Sequence, residues 1–266
     1  MATIGGCFGP AGAPWPPSAG KPAVKATLPA PADAMAAAAP VAPPDPLGFV
    51  LTLALSLKAP LLWDGCLAER TLFDLSGLGT HAGGAVAFAA WQLGLYLWHR
   101  TLHRSEFLFR WFHRMHHSAE RTGVWGAYLF HPLDTLAFAF VFSLVLVGGL
   151  GVSAPAAMAA GVLSTFCAIF QHANLRTPRW LGFVLQRPES HALHHQRGVH
   201  AWNYADLPLW DMLFGTFRNP EGVGGPAGFW DGASAQVGAL LAGRDVTQPP
   251  PPEAARPGVG DVARAA

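Results

Sequence analysis

Four apolar stretches punctuate the chain, separated by short polar segments. The clearest are residues 134–152 (DTLAFAFVFSLVLVGGLGV) and 155–170 (PAAMAAGVLSTFCAIF). A helix rising about 1.5 Å per residue needs about 20 residues to cross about 30 Å of hydrocarbon. The first stretch meets that length, and the second meets it once His172 and Asn174 are placed at its exit. Residues 83–98 (GGAVAFAAWQLGLYLW), extended from Thr80 through His103, are long enough and end in aromatics suited to a membrane interface. The earliest stretch, 47–63, is interrupted by Lys58 and Pro60, so it either spans or embeds. The pattern predicts an all-α integral membrane bundle of about four transmembrane or embedded helices.

Flanking segments read differently. Residues 1–45 consist mainly of Pro, Ala and Gly, which bury too little apolar surface to offset the entropy of ordering, so a disordered tail is expected. That tail lacks the basic start and apolar run of a signal peptide. The far end, with its prolines at 249–252, reads the same way, and residues 219–266 are expected to be a largely disordered C-terminal tail. Residues 46–218 remain as the folded domain. No repeat of solenoid period is present.

Composition supports the bilayer reading. The chain is 51% hydrophobic and 12% charged, against about 25% charged in soluble domains. A net charge of +1, with no basic run interleaved with aromatics, sets nucleic acid aside. Cys7, Cys66 and Cys167 are scattered, with neither metal spacing nor a disulfide framework.

Arginine placement sets the topology, because Lys and Arg concentrate on the cytoplasmic side. Arg100, Arg104, Arg110, Arg114 and Arg121 lie between the second and third stretches, and Arg176, Arg179, Arg187 and Arg197 follow the fourth. The short uncharged connection at 148–155 makes the last two stretches a hairpin returning to its starting side.

Three histidine clusters then fall on one face: His99-x3-His103, His113-x2-His116-His117 and His191-x2-His194-His195. They use eight of the twelve histidines, and residues three and four apart share a helix face. The clusters hold more nitrogens than a zinc site's roughly three or four ligands, so two metal ions are expected in a cytoplasmic helical cap. The bland alternative is an interfacial helix whose histidines meet lipid head groups, and Phe107 to Phe112 do read as interfacial. That alternative does not require three histidines on one face twice over.

Single histidines divide. His172 sits where the fourth helix emerges and is a candidate ligand; His131, at the start of the third helix, is read as a ligand or as a residue that holds one, the bland alternative being a helix-start residue bonded to backbone. His200 either orients the last cluster or bonds to loop carbonyls, and His81 belongs near the opposite face.

The three clusters, followed by Asn203-Tyr204 and by Leu209-Trp210-Asp211-Met212-Leu213-Phe214-Gly215-Thr216, resemble the fatty acid hydroxylase and sterol desaturase family of membrane oxygenases. The resemblance runs from Ala85 to Phe217, about half the chain, and takes in His131-Pro132 and His172-Ala173-Asn174. It implies an all-histidine, non-haem di-iron centre activating O2 to hydroxylate or desaturate a lipid. In this reading the catalytic and metal-binding residues are His99, His103, His113, His116, His117, His191, His194 and His195, with His172 as a further ligand and His131 as an additional candidate. One departure is Tyr204-Ala205-Asp206, where the family more often has glycine after the tyrosine.

Chemistry runs beside the resemblance. Imidazole alone does not choose iron over zinc, copper or nickel. Oxidising an unactivated lipid C–H bond does, because zinc is redox-inert. With no flavin, haem or iron–sulfur signature in the chain, the electrons must come from a separate donor such as an acidic ferredoxin or a cytochrome b5-like protein. The arginine-rich face either steers that donor or contacts anionic lipid. Glu106, Glu120, Asp134, Glu189, Asp206 and Asp211 are not spaced as di-iron carboxylate ligands. They are expected to hold ligand ring N–H groups, Asp211 first among them. Trp98, Trp111, Phe112, Trp125, Tyr128 and Trp202 are candidates for lining a substrate mouth or anchoring the interface.

Other functions remain to be weighed: a zinc-dependent membrane hydrolase, a metal transporter, and a catalytically silent lipid-binding relative. The first lacks H-E-x-x-H, and the second calls for ionisable groups along mid-membrane helices.

Overall fold

In the computed structural model residues 46–123 and 125–250 are described, and the expected tails at 1–45 and 251–266 lie outside them. Among the described residues there is no strand, only an isolated bridge between Gln196 and Ala227. Helix α1 (Pro46–Lys58) gives way to a 3-10 turn, Ala59–Leu62, carrying Pro60, and then to the short α2 (Asp64–Ala68). Proline has no N–H to continue the α ladder, which is why the earliest apolar stretch is broken there. Helix α3 (Gly79–Arg104) is 26 residues long. Residues 106–117 form α4, an α turn and a second α turn joined through a π turn at Phe109–His113.

Helix α5 (Pro132–Ser143) passes into a π turn, Leu144–Gly149, and α6 (Ala154–His172) returns along it. Ser153 caps α6 by accepting from Ala156 N at 3.4 Å. Carbonyls freed by the π turn are used: Gly148 and Gly149 accept from Leu72 N and Phe73 N at 2.9 and 3.0 Å. Three short helices complete the chain: α7 (Pro188–His195), α8 (Leu209–Leu213) and α9 (Val237–Leu241).

Helices α3 and α6 run parallel along a seam of small residues. Gly83, Gly84 and Ala87 face Ala156, Ala159 and Ala160, so close that a Cβ on Gly84 would lie 2.9 Å from the Ala159 Cβ. Small side chains let helix backbones approach where no hydrophobic effect separates helix from lipid. Further along, the Trp91 indole donates to Ser164 Oγ at 2.9 Å. Helix α5 packs antiparallel to both, with Gly94 of α3 against Val145 and Val141.

Two helices, Pro132–Gly149 and Ala154–His172, are long and apolar enough to cross a membrane. Their outer faces carry exposed Phe140, Leu144, Leu163 and Phe166. A continuous apolar band of this kind is costly in water and costs nothing in hydrocarbon.

The C-terminal segment departs from expectation. Residues 219–250 are not a loose tail but fold back onto α4. Leu240 and Val246 are buried against Met115, Glu120 accepts from Gly232 N, Ser234 N and Ser234 Oγ, and Arg114 pairs with Glu106 and Asp245. Turn-rich, glycine-rich composition looked like disorder, but buried anchors on α4 supply the missing apolar contacts.

Replacing Gly84 by leucine should force α3 and α6 apart, at a cost of about 3 kcal/mol or more. The expected result is loss of monodisperse protein in detergent size-exclusion profiles and a lower midpoint in thermal unfolding, whereas Gly65→Leu, in open space, should leave both unchanged.

Candidate metal centre

The histidines meet where α3 ends, α5 begins and α6 ends, roofed by α4 and α7. They assemble into two groups, in each of which one ring nitrogen per residue lies within 4.8 Å of all the others. The first comprises His99, His103, His113, His117 and His194; the second comprises His116, His172, His191 and His195. All nine are buried.

Each H-x2-H-H cluster is divided between the groups by helical phase. Its outer pair, four residues apart, shares one face, and the middle histidine points to the neighbouring group. On α4 the outer pair is His113 and His117, in the first group, while His116 joins the second. On α7 the arrangement is reversed: His191 and His195 join the second group and His194 the first. The two groups therefore interlock, with the His117 and His195 rings stacked at 4.2 Å between them.

Six of the nine rings have Nδ1 held by another protein group. His99 Nδ1 donates to the Tyr204 carbonyl at 2.9 Å, His172 Nδ1 to Ala168 at 2.8 Å and His194 Nδ1 to Trp202 at 2.7 Å. His113 Nδ1 donates to the Asp134 carboxylate at 2.7 Å. His117 Nδ1 meets His200 Nδ1 at 3.0 Å, and His191 Nδ1 meets the Gln186 amide at 2.7 Å. Because a carbonyl or carboxylate oxygen can only accept here, the bonds of His99, His113, His172 and His194 fix those tautomers and leave Nε2 as a bare lone pair, whereas His191 Nδ1 accepts from the Gln186 amide N–H.

Those lone pairs face one another. His99 Nε2 and His113 Nε2, both with Nδ1 as the donor, are 3.0 Å apart. Two acceptors at that distance repel, and a shared cation reverses the sign. Nitrogens at right angles on one ion, each bonded at about 2.1 Å, are separated by about 3.0 Å. Moreover His103 Nε2, His117 Nε2, His194 Nε2 and His116 Nδ1 are buried without a partner, each costing about 1–3 kcal/mol if left so. The donor set therefore fits two metal ions.

Burial pushes His113, His116, His117, His191, His194 and His195 well below the ordinary histidine value, so they stay neutral and need lose no proton to bind a metal. Burial also lowers His200 to about 4.

The remaining candidates are sorted by contact. His131 spends both nitrogens elsewhere, accepting from Leu133 N at 3.1 Å and donating to the Leu241 carbonyl at 3.3 Å. It caps α5 and joins neither group. His81 is exposed at the start of α3, far from the centre. Asp211 does not hold a ligand ring: its carboxylate accepts from Tyr204 N, Ala205 N and Thr216 Oγ1 at 2.9, 3.0 and 2.7 Å. It fixes the loop whose Tyr204 carbonyl holds His99. The acid that touches a ligand is Asp134, in the first turn of α5. Sequence spacing could not distinguish the two, since the contact of His113 with Asp134 depends on how α4 lies over α5.

The left-handed bend of that loop is also invisible to hydrophobic patterning. His200, Trp202 and Asn203 have φ of 42°, 73° and 51°, left-handed values costly for L residues. Asn203 is anchored through Nδ2 to the Ser190 carbonyl at 3.0 Å and through Oδ1 to Arg218 N at 2.8 Å. The resulting bend turns the Trp202 carbonyl toward His194.

An apolar cavity of about 770 Å³ opens beside the centre. His99, His113, His116, His172 and His191 form one end, and Leu95, Phe138, Phe142, Met158 and Val162 form walls. Of the aromatics proposed for a mouth, Tyr128 lines the cavity. Trp98 instead packs edge-on to Phe112, Trp202 lies under the Arg218 guanidinium, and Trp111 lies against Gly243; Trp125 is likewise absent from the lining.

Residues 84–216 match the family model described as fatty acid hydroxylase. The chain is 34% identical over 134 residues to an ornithine lipid hydroxylase of Rhizobium tropici, covering 48% of this chain and 40% of that one. It is 28% identical to a sphingolipid C4-hydroxylase of Schizosaccharomyces pombe, covering 50% and 45% of the two. A Delta(7)-sterol-C5(6)-desaturase of Nicotiana tabacum is 26% identical over 59% of this chain and 57% of its own length. The chain thus spans about half the length of these relatives. No solved structure matches.

Two outcomes are expected. Asp134→Asn should weaken metal binding about 10–100-fold by loosening His113, read by competition with a chelator. In metal-stripped protein the unfolded histidines take up protons below about pH 6.5 while the folded ones refuse them. The unfolded state then binds more protons, so the thermal midpoint should fall as pH drops from about 7 to about 5; a flat profile would refute the neutral buried cluster.

Proposed function

Because the chain belongs to the fatty acid hydroxylase and sterol desaturase family, we propose that it is an O2-dependent oxidoreductase that hydroxylates or desaturates a membrane lipid at a non-haem di-iron centre. The observation that carries this reading is the pair of interlocked imidazole groups at the end of an apolar cavity. His99, His103, His113, His117 and His194 would hold one iron, and His116, His172, His191 and His195 the other. When bound, the irons supply the oxidising power to break an unactivated C–H bond with O2, using two electrons from that bond and two from an external donor.

The chain's own residues set the conditions. Asp134, Gln186 and the carbonyls of Tyr204, Trp202 and Ala168 keep the ring orientations fixed, so little reorganisation is needed at the moment of reaction. Phe130, stacked on His116 at 4.5 Å, helps exclude water from the metal side of the cavity. Leu95, Phe138, Phe142 and Val162 hold the hydrocarbon chain against the histidines.

In this reading residues 46–218 form the catalytic domain, with α1, α3, α5 and α6 in or across the bilayer and α4 and α7 as a cap on its cytoplasmic face. The arginines of that face receive a separate electron donor, an acidic ferredoxin or a cytochrome b5-like protein with its reductase. Neither the zinc hydrolase nor the transporter reading draws support, since the histidines are too many for one and gathered at a single end for the other.

His116→Ala and His194→Ala should each remove iron from one group and lower activity at least about 100-fold while leaving membrane insertion intact. His81→Ala should change neither. Metal analysis with Mössbauer spectroscopy reads the iron, and lipid mass spectrometry of cells with and without the protein should find a species shifted by one oxygen or two hydrogens. Full zinc occupancy in iron-replete cells, with no O2 consumption alongside any reductase, would overturn the proposal.

A further inference from the structure

The cavity contains a charge that the metal centre does not use. Among the described residues lining it, Asp206 is the one carboxylate, and neither lysine nor arginine lines it. Asp206 is 3% exposed. Its oxygens accept from Gln92 Nε2 at 3.0 Å, Gln171 Nε2 at 3.3 Å and Ser164 Oγ at 3.4 Å, all neutral donors. No arginine, lysine or histidine lies within ion-pair distance of it among the described residues.

A buried carboxylate without a counter-cation is expensive. Neutral hydrogen bonds offset part of that cost, and a cation entering the cavity would offset more. Burial pushes the Asp206 carboxyl up to about 6, which leaves it ionised at neutral pH. A purely structural pin joining the loop to α3 and α6 would need only a neutral acceptor, and Gln92 already supplies one to Leu207 N at 3.0 Å.

The position relative to the histidines is also fixed. Gln92 lies two helical turns before His99 on α3, and Gln171 is the residue next to His172 on α6. A cation held at Asp206 would therefore bring the first carbons of its chain, not the distal end, to the metal side of the cavity.

We infer that Asp206, framed by Gln92, Ser164 and Gln171, is a specificity residue that receives the ammonium group of an amine-bearing lipid whose chain occupies the apolar cavity. This rests on the lipid-oxidising reading of the site for its biological sense, and its binding test does not. Full-length protein as purified, with its metals in place and no reductant, is held in phosphatidylcholine nanodiscs and titrated with octadecylamine and with N-acetyloctadecylamine, which has the same chain and no charge. The wild type should bind the amine at least about tenfold more tightly, equivalent to about 1.4 kcal/mol, and Asp206→Asn should abolish the preference while still binding the amide. Equal affinities in the wild type, or a preference surviving in Asp206→Asn, would overturn the assignment.

Should that variant fail to fold, an octadecylamine bearing a diazirine beside its nitrogen tests the wild type directly. Labelling within 164–171 or 203–207 is expected, and labelling confined to other segments would overturn it. Absence of O2 consumption with every lipid would count against the oxygenase reading and leave the binding result standing.

Discussion

Everything in this protein is arranged around imidazole lone pairs that repel one another unless a cation lies between them. Nine buried rings are brought to one end of the bundle, and most have the outer nitrogen committed to a carbonyl, a carboxylate or a neighbouring side chain. Without those outer bonds the rings could rotate or shift their protons and relieve the repulsion. With them, the inward nitrogens of His99, His113, His172 and His194 stay bare, and a metal held among them removes the repulsion.

That constraint explains features that otherwise look unrelated. The glycine and alanine seam sets the spacing of α3 and α6, and so the distance between His99 and His172. Asp211 spends its carboxylate on backbone N–H groups because the carbonyls of the same loop must be aimed at ligands. The left-handed residues of the 200–203 bend impose strain that the surrounding hydrogen bonds sustain. The folded-back segment 219–250 packs onto α4 and the residues just after it. The cavity is lined instead by residues of α3, α5 and α6.

Much of the fold was legible before any coordinates. Apolar runs located α3, α5 and α6 to within a few residues, because a bilayer-length apolar run has few alternatives to a helix. Helical phase located the clustered histidines, and the hairpin put His172 at their end of the bundle. Less legible were interactions between segments remote in the chain. Asp134 rather than Asp211 holds a ligand, His131 is occupied as a cap, and most of the expected mouth aromatics pack elsewhere. Residues 219–250 have the composition of a tail, and their order comes from contacts with α4 that no local pattern encodes.

The sequence by itself determined the helical elements, the gathering of the histidines and the family, since these follow from periodicity and motif spacing. Tertiary structure decided how the nine rings divide between two groups, which partner fixes each ring, and that a lone carboxylate, Asp206, lies in the apolar cavity. The physical reason is range: periodicity is set by neighbours within a turn or two, whereas a ligand's outer bond joins His99 to Tyr204, 105 positions away, and Asp206 is held by Gln92, 114 positions away.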